Sequence, residues 1–428
     1  MTSAMSRRAF ISRSTKTVVA GLAIPAIVPA TALGRQGPAP SERILTAHIG
    51  CGGQGSGLIK GFKSTVAAVC DVDATRLAAA KQLAQEQSGR EPLTYSDFRR
   101  VLENDDITAV VVATPDHWHA LITTLACEAG KDVYCEKPLV HTISEGRAVV
   151  NVAKRTGRIV QTGSQQRSDA KFRTGCEYVR SGRIGKVHTV RVGLPGVNMD
   201  GDPAPDSDPP PELDYDMWLG PAPGRPYNVR RVHYFFRFFW DYAGGQMTNF
   251  GAHHLDIAQW GLGTDGSGPV SVEGSAGFHP TGLYETPQWA ELKYTYADGT
   301  LLLCTLGKGD PAGTVFEGEK GTMHLERAVL ESDPPSILEE PLGEGDVRLH
   351  KSDDHIGNFL DCVKSRKEPI CGPEIGQRSS SVGHLGNIVA RTGRPLKWDP
   401  ETESVIGDEE QAAMTRRTYR APWSLPTE

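Results

Sequence analysis

The stretch GCGGQG at residues 50–55 limits the possible fold of this chain more than any other feature. Its glycines, Gly50, Gly52 and Gly55, have the spacing G-x-G-x-x-G and lie between the apolar run ILTAHI and the helix-like run SGLIKGF. In a strand–loop–helix unit, such glycines let the backbone approach a pyrophosphate, whose charge is favoured at a helix N-terminus. The stretch therefore predicts a dinucleotide-binding unit.

An acidic residue at the end of the next apolar run supports this prediction. Asp71 follows the run VAAVC, at about the 20-residue spacing from which an acid reaches the adenosine ribose. Because a carboxylate repels a 2′-phosphate, Asp71 favours NAD over NADP as the cofactor. Arg76 nearby keeps NADP as the second choice.

Strand-like and helix-like segments alternate from residue 43 to about 165. In chain order they are strand 44–49, helix 55–62, strand 66–70, helix 74–87, helix 96–103, strand 109–113, helix 118–129, strand 132–135, helix 144–156 and strand 159–162. This alternation is typical of an α/β fold and predicts a Rossmann domain with a parallel sheet at 43–165. Ligands bind outside the carboxyl ends of such strands, so TPDHWH (114–119) and EKP (136–138) are expected to line the crevice.

Segments beyond residue 185 are longer and of β type. Runs such as KVHTVRVGL and QWAELKYTYADGTLLLCTLG predict a C-terminal α+β domain at 166–372 with a large open, mainly antiparallel sheet. Its connection at 196–232 is rich in Pro and Asp, and we expect an arm or lid there. A helix and tail at 373–428 are expected to pack back on the body.

The N-terminus carries a candidate export signal. SRRAFIS, which contains Arg7 and Arg8, precedes the weakly apolar TVVAGLAIPAIVPATA and resembles a twin-arginine signal. We expect a signal peptide at 1–32, a linker at 33–42, a periplasmic or otherwise exported protein, and the twin-arginine export machinery as a partner. An uncleaved membrane anchor is the alternative.

Charge and cysteine spacing exclude other classes of protein. The formal net charge is −6, and no basic cluster indicates nucleic-acid binding. The eight cysteines form no C-x-x-C pair, so we expect buried thiols, with neither a metal site nor structural disulfides.

Three stretches together carry a family resemblance. GCGGQG, EKP and GGQMTNFGAHHLD (244–256), in this order and spacing, resemble the glucose-fructose oxidoreductase and inositol dehydrogenase family, Gfo/Idh/MocA. The resemblance extends over nearly the whole chain after the candidate signal. It implies a nicotinamide cofactor, hydride transfer at a hydroxyl-bearing carbon of a sugar or cyclitol, and a homodimer or homotetramer formed through the open sheet.

The resemblance also implies catalytic residues. The lysine of EKP corresponds to Lys137, and the histidine of the family pattern D-x-G-x-H corresponds to His253. Loss of hydride from an alcohol carbon requires the hydroxyl proton to leave, which suits a His base and a Lys that stabilises the oxygen. The acid of the pattern is Asn249 here, and an amide can hold a hydroxyl but cannot relay its proton.

Further site residues follow from the crevice, the resemblance and the aromatic stretch HYFFRFFWDYAGG (233–245), which suits a carbohydrate pocket or, alternatively, plain hydrophobic packing. The substrate-binding candidates are Asn249, Arg167, His233, Trp240, Asp241 and Tyr242. The cofactor-binding candidates are Gly50, Cys51, Gly52, Gln54, Gly55, Asp71, Arg76, Thr114, Pro115, His117, His119, Glu136, Lys137 and Gln165.

These features predict an exported NAD-dependent oxidoreductase acting on a sugar, glycoside or polyol, with a tightly bound nicotinamide. Two alternatives stay open. One is an NAD-dependent glycosidase that works by transient oxidation and elimination, and the other is a sugar-binding relative that has lost its chemistry.

Overall fold

The computed structural model describes residues 43–197 and 201–426. The signal peptide and linker predicted for residues 1–42 therefore lie outside the described residues. The described part confirms the predicted fold class, a Rossmann half with a parallel sheet followed by a half with a mainly antiparallel sheet.

The Rossmann half holds six strands and five helices within the described residues. The strands are β1 Thr46–Ile49, β2 Val66–Cys70, β3 Leu93–Tyr95, β4 Ala109–Val112, β5 Asp132–Cys135 and β6 Val160–Thr162, and the helices are α1 Gly53–Phe62, α2 Ala74–Ser88, α3 Phe98–Leu102, α4 Asp116–Glu128 and α5 Ile143–Thr156. The strands pair in parallel in the order β3-β2-β1-β4-β5-β6. The order reverses beside β1, and this switch point is where such sheets bind ligands.

Local sequence explains where these elements begin. Strand β4 reads AVVV and is buried on both faces, as a central parallel strand requires. Helix α2 is capped by Asp73, whose carboxylate accepts hydrogen bonds from the backbone N–H groups of Thr75 and Arg76. Helix α5 begins with a capping box formed by Thr142 and Glu145.

The C-terminal half is built on an eight-stranded sheet in the order β12-β11-β10-β9-β8-β13-β14, with β7 paired to β10. The strands are β7 Val187–Pro195, β8 Ser271–Gly277, β9 Trp289–Thr295, β10 Leu301–Gly318, β11 Gly321–Leu325, β12 Leu330–Asp333, β13 Leu396–Asp399 and β14 Ser404–Val405. The helices are α6 Ala170–Arg180, α7 Tyr215–Leu219, α8 Gly245–Asn249, α9 Gly251–Leu262, α10 Ser336–Glu339, α11 His355–Ser365, α12 Pro373–Thr392 and α13 Glu409–Ala413. Helices α6, α9 and α12 bury residues in the same core as this sheet.

The long connection predicted as an arm or lid extends onto the Rossmann half. The Ala74 N–H donates to the Glu212 carbonyl at 2.9 Å, and the Asp214 N–H donates to the Val72 carbonyl at 3.0 Å. Helix α7 follows these contacts. The connection is therefore hydrogen-bonded to the residues that follow β2.

Among the described residues, no helix is long and apolar enough to cross a membrane. No group of His, Cys, Asp or Glu in this part of the chain could hold a metal ion. All eight cysteines are buried free thiols.

Candidate active site

A cavity of about 420 Å³ lies at the carboxyl ends of the parallel strands, between the two halves. This volume falls in the range of small-molecule sites. Of the predicted site residues, those that line the cavity are Gly50, Gly52, Gln54, Asp71, Arg76, Thr114, Pro115, His119, Glu136, Lys137, His233 and Asn249.

The glycine loop packs too closely for side chains. Gly50 has a φ of +87°, and a Cβ there would lie 2.6 Å from the Thr114 nitrogen. A Cβ on Gly55 would lie 2.0 Å from the Gly50 carbonyl oxygen. The loop thus brings backbone directly to the cavity, where the first N–H groups of α1 have no partners within the helix. This cradle fits a pyrophosphate.

Two acids lie at the β2 end of the cavity. The Asp71 carboxylate accepts hydrogen bonds from the Cys51 N–H at 2.7 Å and the Asp73 N–H at 2.9 Å, which fix its orientation. Burial raises the pKa of Asp71, while these two bonds lower it. Arg76 lies 3.7 Å from the Asp73 carboxylate. An oriented carboxylate here can accept hydrogen bonds from a ribose.

His119 ties two cavity loops together. Its Nδ1 lies 2.7 Å from the Pro138 carbonyl oxygen and its Nε2 lies 2.9 Å from the Thr114 carbonyl oxygen. Carbonyls only accept hydrogen bonds, so both ring nitrogens donate and the ring is an imidazolium. Burial works against this charge, but contacts with Cys135, Asp116 and Pro138 raise the pKa of His119 to about 10. His119 therefore places a fixed positive charge in the cavity wall.

The predicted catalytic lysine lies at the opposite end of the cavity from Asp71. Lys137 Nζ donates to Asn249 Oδ1 at 2.8 Å. Asn249 Nδ2 in turn donates to Gln246 Oε1 at 2.9 Å, and Gln246 Nε2 donates to the Gly196 carbonyl at 2.9 Å. This chain of bonds holds Lys137 and Asn249 in one orientation.

The carboxylates of Glu136 and Asp116 are close enough to influence the charge of the lysine. Glu136 accepts a hydrogen bond from Gln54 Nε2 at 2.8 Å and so links the lysine's strand end to helix α1. Burial lowers the pKa of Lys137, while Glu136 and Asp116 raise it. A lysine with a lowered pKa gives up a proton more readily to a developing oxyanion.

His253 lies on α9, four residues after Asn249, but it is not one of the described residues that line the cavity. Its side chain is 5% exposed, and its Nδ1 has no hydrogen-bond partner among the described residues. Burial and the charges of Lys137 and Arg327 lower the pKa of His253 well below its usual value. The ring is therefore neutral near pH 7.

The aromatic stretch divides into two parts. Residues 233–238 form a short 3-10 helix, from which His233, Tyr234, Phe236 and Arg237 line the cavity. The Arg237 guanidinium lies over the Tyr234 and Phe236 rings at 4.6 and 4.7 Å. His233 Nε2 is 3.5 Å from the Asp73 carboxylate. His233 was predicted to bind substrate, but it lies at the acidic, cofactor end of the cavity.

The second part of the stretch lies away from the cavity lining. Arg391 covers the Trp240 ring at 4.9 Å, and Asp241 pairs with Arg225 at 2.6 Å. Tyr242 is fully buried, with its ring 4.9 Å from that of Trp218. Trp240, Asp241 and Tyr242, which were predicted to bind substrate, instead make ion-pair and packing contacts within the protein.

Arg167 is likewise placed elsewhere than predicted. It is 1% exposed, and its guanidinium donates to Asp256 at 2.8 Å and to Asp265 at 2.7 Å. With its donors committed to two carboxylates, Arg167 holds helix α9 and is not available to a substrate. The neighbouring Gln165 is exposed and does not line the cavity.

Three cofactor candidates support the cavity from behind its lining. Cys51 orients Asp71 through its backbone N–H, and Gly55 packs against Gly50. His117 is fully buried and makes a 3.1 Å hydrogen bond with the Trp218 carbonyl.

The lining also includes residues that the sequence did not single out. Asp116 and Trp118 lie within the stretch expected at the crevice, Arg237 lies within the aromatic stretch, and Leu213 and Met217 lie in neither. Asp116 is the first residue of α4, directly after Pro115, and this position at a strand's carboxyl end was the available signal. Leu213 and Met217 come from the long connection, whose composition gives no such signal.

Comparison with known proteins identifies both halves. A family model described as oxidoreductase family, NAD-binding Rossmann fold matches residues 44–164. A second model, oxidoreductase family, C-terminal alpha/beta domain, matches residues 201–425. The Rossmann half is thus an NAD-binding domain.

Relatives with sequence similarity include dehydrogenases. Myo-inositol 2-dehydrogenase of Thermotoga maritima is 32% identical over 366 residues, covering 79% of this chain and 92% of that protein. A glycosyl hydrolase family 109 protein of Shewanella pealeana is 32% identical over 123 residues, covering 27% of each chain. Matches to a levoglucosan dehydrogenase of Pseudarthrobacter phenanthrenivorans and two uncharacterised oxidoreductases span only 25%, 40% and 60% of those proteins.

Solved structures share the fold. WlbA dehydrogenase of Bordetella pertussis, determined with NADH and UDP-GlcNAcA, superposes with a TM-score of 0.61 at 18% identity, covering 83% of this chain and 99% of that one.

We predict that Asp71→Ser narrows the preference for NAD over NADP, because the oriented carboxylate no longer repels a 2′-phosphate or holds a 2′-hydroxyl. The ratio of dissociation constants for the two dinucleotides, measured by fluorescence titration, should shift towards NADP by at least about tenfold, or roughly 1.4 kcal/mol. Glu91→Ser, which removes an exposed acid paired with Lys81, is the control. An unchanged ratio in Asp71→Ser would remove this residue from the cofactor site.

Proposed function

This chain belongs to the Gfo/Idh/MocA family of oxidoreductases, and on that premise we propose that it transfers a hydride between bound NAD and a hydroxyl-bearing carbon of a sugar, glycoside or polyol. The observation that carries the proposal is the position of Lys137, whose ammonium group lines the cavity beside Asn249 and beyond the glycine cradle. A cation there lies within reach of a hydroxyl bound next to the reactive end of a dinucleotide.

Three residues have separate roles in oxidising the substrate hydroxyl. When bound, the nicotinamide supplies a hydride acceptor and donor. Lys137 binds the substrate hydroxyl and stabilises the negative charge that develops on its oxygen. His253, neutral and with an unpartnered Nδ1, accepts the hydroxyl proton as the general base. Asn249 orients Lys137 and offers its amide to a neighbouring hydroxyl.

The pocket composition supports a polyhydroxylated substrate. Tyr234 and Phe236 line the cavity with aromatic rings that Arg237 covers on one face, while Arg237 and Asp116 supply polar groups able to hydrogen-bond with hydroxyls. This combination of apolar faces and polar edges matches the two kinds of surface on a sugar or cyclitol ring.

A second candidate function is redox-neutral glycoside cleavage. In this reaction, oxidation of a ring carbon acidifies the neighbouring C–H bond, and elimination expels the aglycone. Water then adds to the resulting double bond, and the hydride returns to the oxidised carbon. Similarity to the family 109 glycosyl hydrolase and the presence of Asn249 in place of an acid favour this reaction over the sugar-binding alternative. A sugar-binding relative without activity is the remaining alternative.

A substrate panel is the experiment that tests the function. With polyols, free sugars and glycosides as substrates, we expect at least one polyol or sugar to be oxidised in a single turnover of the NAD-loaded protein, with NADH absorbance rising in proportion to the oxidised product. Release of aglycone without net NADH would replace the proposal with the glycosidase function. Saturable sugar binding with neither product would assign the inactive alternative.

We predict that Lys137→Ala and His253→Ala each lower turnover by about 10²–10⁴-fold, the usual loss for one positioned acid or base. The double variant should lose little more than either single one, because both residues act on the same hydroxyl in the same step. His254→Ala, at the adjacent buried histidine that contacts Thr314, is the matched control. Near-normal turnover in both single variants, with NAD binding intact, would move the chemistry to the Asp116 and Arg237 side of the cavity.

We also propose that the protein is exported, on the strength of the paired Arg7 and Arg8 before an apolar run. Because the twin-arginine route accepts folded proteins, a chain using it can carry its nucleotide along. Changing both residues to Lys should leave folded precursor in the cytoplasm, as measured by cell fractionation and immunoblotting, while Arg13→Lys is exported normally. Normal export of the double variant would refute the twin-arginine assignment.

A further inference from the structure

We propose that residues 212–220, called here the roof, form a fixed cover over the adenosine half of the cofactor cavity and make NAD a retained group rather than one exchanged at each turnover. The inference rests on the proposed function only in taking NAD as the ligand. It extends the cofactor site to residues outside the Rossmann half.

The roof supplies apolar side chains to the cavity. Leu213, Met217 and Trp218 line it together with Phe98 and Ile122 of the Rossmann half. Leu213 forms an isolated antiparallel β-bridge with Asp73, two residues after Asp71. These apolar side chains therefore lie at the same end of the cavity as Asp71, the acid expected to bind the ribose. Apolar surfaces on both sides of this end suit a flat, aromatic adenine ring.

The roof is fastened to the Rossmann half at both of its ends. At the first end, Glu212 and Asp214 hydrogen-bond with the backbone on either side of Asp73. At the second end, the Trp218 carbonyl accepts hydrogen bonds from Trp118 Nε1 at 3.0 Å and from His117 Nε2 at 3.1 Å. Trp218 is only 5% exposed.

Close packing reinforces the second end. Gly220, with a φ of +49°, lies so near the Trp118 ring that a Cβ there would be 1.9 Å from it. The roof therefore meets helix α4 through backbone as well as side chains.

The C-terminal tail holds the roof from outside. Arg420 donates from Nε to the Gly220 carbonyl at 2.9 Å and from Nη2 to the Asp216 carbonyl at 2.8 Å. Trp423 packs edge-on against Trp118, with ring centres 4.9 Å apart, and also against Phe98 at 6.1 Å. The tail thus braces both walls of the adenosine end.

Release of the adenosine half then requires local opening of the roof. Opening breaks the bonds at both ends and exposes Leu213 and Trp218 to water, so its equilibrium population is small. Because dissociation of a covered ligand waits for such an opening, the release rate is low. Leu213, Met217 and Trp218 contact the ligand directly, whereas Arg420 is a positioning residue that acts through the roof.

The test measures NAD release from the full-length protein without any substrate. NAD content is determined after purification and gel filtration, and the release rate is followed by trapping freed NAD with a scavenging dehydrogenase. We expect close to one NAD per wild-type chain after gel filtration, and release at least about tenfold faster from Met217→Ala and from Arg420→Ala. Met414→Ala and Arg394→Ala, which change the same residue types away from the cavity, are the matched controls.

Rapid exchange of NAD by the wild type, or release from both roof variants at the rate of the controls, would overturn the proposal. ADP-ribose, which is NAD without the nicotinamide ring, locates the effect: its release should be accelerated in Met217→Ala as much as that of NAD. Acceleration for NAD alone would place Met217 at the nicotinamide end and refute the roof.

The outcome is separable from that of the proposed function. If the protein retains NAD but converts no sugar, the proposed function is refuted and the roof proposal is still supported. If the protein converts a sugar while its NAD exchanges freely, the roof proposal is refuted and the proposed function is supported.

Discussion

The buried ion pair between Arg167 and Asp256 fixes the relation between the two halves of this protein. Arg167 follows the last parallel strand, whereas Asp256 lies on α9 one turn after His253. Burying two charged groups is costly unless their hydrogen-bonding atoms find partners. Here Asp265 also accepts from the Arg167 guanidinium, and the Ser379 hydroxyl donates to the Asp256 carboxylate. Because both carboxylates are oriented towards one guanidinium, α9 has little freedom to rotate or slide.

The cavity between the halves has a graded chemistry that follows from its position at the strand ends. Asp71 and Asp73 place carboxylates suited to ribose hydroxyls at one end, while Lys137 and Arg237 place cations suited to a developing oxyanion at the other end, beside Glu136 and Asp116. The His119 imidazolium connects the Thr114 and Pro138 loops between them. One ligand orientation satisfies this gradient, with its adenosine at β2 and its reactive ring at Lys137.

The parts of the site that sequence could predict are those encoded locally. The glycine spacing, Asp71 and the lysine of EKP each follow a buried strand, and that placement alone brings them to one sheet edge. The ion pairing of Arg167 could not be predicted, because its partner Asp265 lies 98 residues later in the chain and no spacing rule relates the two. Strand β3 escaped prediction because it has only three residues and Leu93 is half exposed. Leu213 and Met217 lie in a Pro- and Asp-rich segment without periodicity, so composition indicated a loop but not what it covers.

Asn249 takes the place of the acid in the family pattern D-x-G-x-H, and its amide is part of a chain of hydrogen bonds. Its oxygen accepts from Lys137 and its nitrogen donates to Gln246, whose own amide nitrogen is committed to the Gly196 carbonyl. A carboxylate at this position would have no proton to donate, and it would face the Gln246 oxygen unless that amide turned and abandoned Gly196. The amide therefore fits the surrounding bonds, and it leaves Lys137 without a direct anionic partner at this position. Because the Asn249 oxygen is neutral, it does not offset the positive charge of the Lys137 ammonium as a carboxylate would, so the ammonium attracts a negatively charged substrate oxygen more strongly.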